Sequence, residues 1–156
     1  MKSALLIGSA LLVSALPSAA SAEPVLLISI DGLQPADILK SEERDIQVPN
    51  LKQFITNGTY ADKVKGVLPT VTYPSHATLL TGVSPAKHGI IGNNSFDPMQ
   101  INQGGWYWYA ADFKVPTLWD AAAKAGLRTA NIHWPVSVQA KAVTWNIPQI
   151  WRTGHN

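Results

Sequence analysis

Three short segments hold the side chains able to do chemistry. Asp31 directly follows the apolar run Val25-Leu26-Leu27-Ile28-Ser29-Ile30 and precedes Gly32. Ligands of open α/β sheets gather at the carboxyl ends of strands, and a carboxylate there is a good ligand for zinc. The same Asp-Gly pair is also an ordinary turn signal. Next, Pro69-Thr70-Val71-Thr72-Tyr73-Pro74-Ser75-His76 sets hydroxyls at the mouth of an expected helix. Unpaired N–H groups and the positive end of the helix dipole favour phosphate at such a place. A threonine hydroxyl becomes a nucleophile there if a metal lowers its pKa; otherwise Thr72 is an N-cap. Third, Lys87-His88-Gly89-Ile90-Ile91-Gly92-Asn93-Asn94 is a glycine-containing loop ending in two amides. An amide N–H from such a loop can donate to a phosphoryl oxygen in a transition state.

The elements that must position these groups follow from pattern. The run 25–30 reads as a strand buried on both faces, as in a parallel sheet. Pro49–Asn57 reads as a helix, with Leu51, Phe54 and Ile55 at i, i+3, i+4 and Gly58 ending it. Residues 59–68 read as a more polar strand nearer an edge. Pro74–Leu80 reads as a helix with proline in its first turn and a stop at Gly82. Residues 84–105 read as loop, and the following Trp106-Tyr107-Trp108-Tyr109 as aromatic packing over the sheet rather than the wall of a cleft. Thr117 and Asp120 form a capping box that opens another helix, with Gly126 just past its end. Residues 128–133 complete the alternation as a strand. Strand–helix alternation of this kind means an α/β fold with a mostly parallel sheet flanked by helices.

In order, Ile28-Ser29-Ile30-Asp31-Gly32, the segment from Pro69 to Gly82, and Pro85-Ala86-Lys87-His88-Gly89-Ile90-Ile91-Gly92-Asn93 closely resemble the nucleotide pyrophosphatase/phosphodiesterase family of the alkaline phosphatase superfamily. Pro116-Thr117-Leu118-Trp119, Gly126–Ala130 and Trp134-Pro135 extend the resemblance to about residues 25–137. It implies a two-zinc hydrolase, zinc or another divalent metal, that works through a phosphothreonine intermediate on small phosphodiester or nucleotide-like substrates. The family's first aspartate ligand matches Asp31, and its nucleophile, itself in contact with metal, matches Thr72. Its phosphate-binding asparagine matches Asn93, and the aromatic residue that lies against a nucleotide base matches Tyr73. Thr70 is the rival hydroxyl, but the family places its nucleophile two residues before the proline. The family's other ligands, two aspartates and three histidines, have no counterpart here. His133 and His155 lack the family's ligand contexts, and His76 and His88 match positions that are not ligands, so both read as structural. A sulfatase motif would start from Cys or Ser and end in Arg, where this chain has Thr72 and His76.

Composition sets the frame. Residues 1–22 carry one charge, Lys2, ahead of the uncharged run Ala4–Leu16 and Ala20-Ser21-Ala22. That order describes a secretory signal peptide, leaving 23–156 as the N-terminal portion of an alkaline-phosphatase-like catalytic domain, exported to a periplasm or the medium with no stable membrane anchor. Beyond it stand 11 basic and 10 acidic residues, so no basic stripe for nucleic acid is expected. The absence of cysteine removes disulfide scaffolds, thiolate zinc sites and cysteine nucleophiles. Six Trp, four Tyr and three Phe exclude a disordered chain. Too few strands are legible for a whole sheet, and nothing after Trp145 reads as a closing element. The chain is therefore expected to be a truncated portion of the enzyme, incomplete and inactive alone. The alternative is an exported, catalytically inactive chain or ligand-binding remnant.

Overall fold

The computed structural model describes residues 23–99, 101 and 104–149. The expected signal peptide lies outside the described residues, as do Trp151 and His155. The chain divides into two compact units, Met1–Gly32 and Leu33–Asn156.

The described part of the first unit has no strand. Residues 23–30 lack ladder pairing, a turn follows at Asp31–Gly32, and Gly32 takes a φ of +74°. Val25 and Leu26 are 90% and 82% exposed. This corrects the strand expected over 25–30. An apolar, β-forming run becomes a strand only when a neighbour accepts and donates its backbone hydrogen bonds, and composition alone supplies no neighbour.

The second unit holds helices α1 (Pro35–Leu39), α2 (Pro49–Asn57), α3 (Thr72–Thr81), α4 (Pro85–His88) and α5 (Leu118–Lys124), with a 3₁₀ turn at Ala110–Asp112. Strands β1 (Ala130–Ile132) and β2 (Trp145–Ile147) follow. The class is α/β, as the alternation implied. α2 occupies the expected residues, and a Cβ on Gly58 would meet the Phe54 carbonyl oxygen at 2.6 Å. Glycine is required there for room, since its backbone is extended rather than left-handed. The strand expected over 59–68 is absent: these residues carry no ladder, and Val64 is 84% exposed. α1 lies where no element was expected, and α4 corrects the loop expected over 84–105, its four residues forming one turn with proline at its start. α5 opens as expected, with Thr117 Oγ1 accepting from the Asp120 N–H while Asp120 accepts from the Thr117 N–H at 2.7 Å.

β1 and β2 pair in parallel with Asn131 opposite Asn146. The Asn131 Nδ2 group donates to Asn146 Oδ1 (2.7 Å), and Asn146 Nδ2 donates to the Ser137 carbonyl. The sequence pattern does not anticipate β2. Its Trp145-Asn146-Ile147 run is too short for period-2 alternation to register.

α3 is the axis of the packing. Tyr73 and Ala77 face a cluster with Ile90 and Val136, and Leu80 faces a second cluster with Trp119 and Ala140. The spacing 73, 77, 80 is one helical stripe. Val136 lies in the left-handed region (φ 57°), uncommon for a β-branched residue, and is held there nearly fully buried against Tyr73, Ala77 and Ile90. Among the described residues no helix is long and apolar enough to cross a membrane.

Thr117→Ala removes the hydroxyl half of the α5 capping box, and its expected cost is about 1 kcal/mol. Urea unfolding of the variant measures this, and an unchanged midpoint would remove the capping box from the account of α5.

Candidate functional site

α3 begins at Thr72, with Val71 at the N-cap in extended conformation. Thr72 is therefore the first helical residue and not a cap. Valine has no side-chain acceptor, so the exposed N–H groups at this helix start need a partner from elsewhere. Asn93, twenty residues on, provides it: the Tyr73 N–H donates to Asn93 Oδ1 at 2.9 Å. An N–H can only donate, so the amide oxygen faces the helix and the NH2 group remains as Asn93's donor end. Thr72 and Asn93 are each half-buried at the mouth of α3. The rival Thr70 donates its hydroxyl proton to the Val67 carbonyl at 3.0 Å.

Three layers fix Asn93. Its carbonyl accepts from the Tyr107 N–H (3.2 Å), and Asn94 bridges Trp106 in antiparallel fashion. The Trp106 ring then lies 5.3 Å from the Tyr73 ring. The aromatic run packs, with Trp108 buried and Trp106 and Tyr107 against the core cluster of Tyr73, Ala77, Ile90 and Val136 rather than over the sheet. Tyr73 itself is only 1% exposed, and its hydroxyl donates to Gln149 Oε1 at 3.0 Å. The structure thus places Tyr73 as a core residue, with the half-buried Trp106 ring beside it. Sequence reasoning missed the Gln149 contact and the tertiary cap. The second had a signal, a helix start whose N-cap position is valine.

His76 and His88 both have structural partners. His76 Nδ1 lies 2.8 Å from the Thr72 carbonyl, and its ring meets Trp134 edge-on at 5.1 Å. His88 is fully buried, with Nε2 3.1 Å from Thr78 Oγ1 and Nδ1 accepting from the Ile90 N–H at 3.1 Å. Burial holds the His88 pKa below its ordinary value, against a smaller opposing pull from the Pro74 carbonyl.

Asp31 is exposed in the turn that ends the first unit, and Thr72, Tyr73 and Asn93 belong to the second. Zinc is ordinarily held by three or four protein ligands. Among the described residues no group of three or more His, Cys, Asp and Glu side chains could hold a metal ion. Asp31 and Thr72 are oxygen donors of suitable type, but their number falls short of a site.

A sequence model of the type I phosphodiesterase / nucleotide pyrophosphatase family matches residues 25–154. The chain is 30% identical over 141 residues to ectonucleotide pyrophosphatase/phosphodiesterase family member 3 of Rattus norvegicus, covering 85% of this chain and 15% of that protein. It is 35% identical over 126 residues to a venom phosphodiesterase of Naja atra, covering 78% and 15% respectively. The solved structure of murine ectonucleotide pyrophosphatase / phosphodiesterase 5 superposes with a TM-score of 0.54 at 28% identity, over 64% of this chain and 29% of that one. The chain spans about 15% of the length of these curated relatives.

The His88 environment predicts a pH dependence. A group whose folded pKa is depressed binds its proton more readily when unfolded. Its contribution to stability is therefore full above the unfolded value of 6.5 and is lost as pH falls below it. The urea midpoint should drop between about pH 7.5 and about pH 5.5, and the drop should shrink in His88→Gln. An equal drop in the variant would contradict the assignment to His88.

Proposed function

The chain belongs to the type I phosphodiesterase / nucleotide pyrophosphatase family, and we propose that it carries the nucleophile and a phosphoryl-binding amide of a hydrolase acting on phosphodiester or pyrophosphate bonds of nucleotide-like substrates. The observation that carries this reading is the Asn93 Oδ1 to Tyr73 N–H bond, which ties an amide to the residue beside Thr72. Thr72 attacks phosphorus in line through Oγ1, its proton passing to solvent water as the new O–P bond forms. The bond from phosphorus to the leaving group breaks. The phosphoryl group, esterified to Thr72 and still carrying any retained ester, is then released by water, which restores the hydroxyl. Asn93 Nδ2 donates to a non-bridging oxygen and stabilises the charge that builds there.

Zinc, or another divalent metal, is the cofactor of this reading. When bound it lowers the pKa of the attacking hydroxyl and offsets negative charge on the phosphoryl oxygens. Asp31 would contribute a carboxylate and Thr72 its oxygen, with further ligands supplied by residues beyond this set. Export is part of the same proposal, supported by the signal-peptide pattern of residues 1–22. The partners are small-molecule substrates rather than nucleic acid.

In the protein as its source makes it, Thr72→Ala should abolish turnover of an aryl phosphodiester, Thr72→Ser should retain a measurable part, and Thr70→Ala should stay near wild type. Activity of Thr72→Ala equal to wild type would transfer the nucleophile role elsewhere.

A diester preference follows from Asn93. A monoester presents an extra anionic oxygen that favours a bidentate cation such as arginine, and no arginine lies between Arg44 and Arg128. A diester spreads one charge over two non-bridging oxygens, which a neutral amide suits. Matched aryl substrates compared by kcat/KM should favour the diester, and a monoester preference would overturn this account of Asn93.

A further inference from the structure

The loop that presents Asn93 is fastened to α3 at two points, and only one is Asn93 itself. The other is His88, the last residue of α4, whose ring lies fully buried between α3 and the loop. Nδ1 accepts from the Ile90 N–H at 3.1 Å. Because that N–H can only donate, Nδ1 carries a lone pair, and the proton of the neutral ring resides on Nε2. Nε2 faces Thr78 Oγ1 at 3.1 Å, on the second turn of α3. The same ring therefore grips the helix through one nitrogen and the second residue of the loop through the other.

The surroundings hold the ring in that role. The Phe113 ring packs edge-on at 6.4 Å, and the His88 carbonyl accepts from the Lys114 N–H at 3.1 Å. Gly89 has a φ of +88°, and a Cβ there would meet the Lys114 side chain at 2.9 Å, so the chain leaves His88 in a conformation and space that suit glycine. Ile90, fully buried, joins Tyr73 and Ala77 in the core cluster. Three residues later Asn93 reaches back to the Tyr73 N–H. The loop thus runs along α3 with His88 fixing its register at Thr78 and Asn93 closing it at Tyr73.

We infer that His88 is a positioning residue for Asn93: as the Nε2–H tautomer it sets the path of residues 89–93, so that the Asn93 amide is held beside Thr72. The inference rests on the proposed roles of Thr72 and Asn93. His88 touches no substrate and acts through the loop.

Two variants separate its two contacts. His88→Asn retains an acceptor near the Nδ1 position for the Ile90 N–H, whereas His88→Gln retains a donor near Nε2 and loses that acceptor. In the protein as its source makes it, His88→Gln should lower kcat by about tenfold to a hundredfold, the scale of a displaced positioning contact, with KM little changed. His88→Asn should lose less. Combined with Asn93→Ala, His88→Gln should cost nothing further, because its effect passes through Asn93. On the 156-residue chain, nitrogen-15 spectra of the imidazole should report the Nε2–H tautomer, and the Tyr73 amide should exchange faster in His88→Gln than in wild type. Wild-type His88 protonated on Nδ1 would overturn the inference whether or not either variant folds. A folded His88→Gln with wild-type kcat and Tyr73 exchange would also overturn it, as would losses that multiply in the double variant. Should Asn93→Ala alone leave turnover intact, the role proposed for Asn93 fails, and the tautomer and exchange rate still judge His88 as the bracket of the loop.

Discussion

The hydrogen bond from the Tyr73 N–H to Asn93 Oδ1 joins the two segments on which the site depends. It exists because α3 begins without a side-chain cap of its own: Val71 at the N-cap offers no acceptor. An N-terminal cap contributes about 1 kcal/mol, a modest sum, yet its direction matters more than its size. By committing the amide oxygen to the N–H of Tyr73, the residue after Thr72, it leaves the NH2 group as Asn93's donor end. A helix start capped from within its own sequence would have no such need of Asn93.

Around that bond the packing is organised to keep α3 and the loop in register. Tyr73 belongs to the core, its hydroxyl reaching Gln149 and its face meeting Trp106. The segment carrying Trp106 also supplies the Tyr107 N–H that fixes the Asn93 carbonyl. Aromatic packing and backbone pairing thus converge on one residue. Val136, in a backbone conformation uncommon for valine, closes the same cluster. Such strain survives where surrounding contacts over-determine it, and here those contacts are the residues that seat the start of α3.

Legibility in the sequence followed the range of the forces involved. α2 and the α5 capping box depend on neighbours within a turn, and both formed where pattern placed them. α3 started two residues earlier than proline suggested, which moved Thr72 from cap to first helical residue. Strands were harder, because a strand is a property of two segments. The runs 25–30 and 59–68 have strand composition but no ladder, whereas Trp145-Asn146-Ile147 has little pattern and pairs with β1 through Asn131 and Asn146. At the site, motif order singled out Asp31, Thr72, Tyr73 and Asn93, but not the contact that joins Tyr73 to Asn93, since nothing local links residues twenty apart.

The central claim is that chemistry begins at Thr72, at the mouth of a helix capped by Asn93. It is tested most directly by stopping the protein rapidly during turnover of an aryl phosphodiester and mapping covalent adducts by peptide mass spectrometry. The account predicts a phosphoryl group, still bearing the retained ester, on Thr72. Turnover with the adduct on Thr70, or with no adduct under conditions that trap a covalent intermediate, would contradict it.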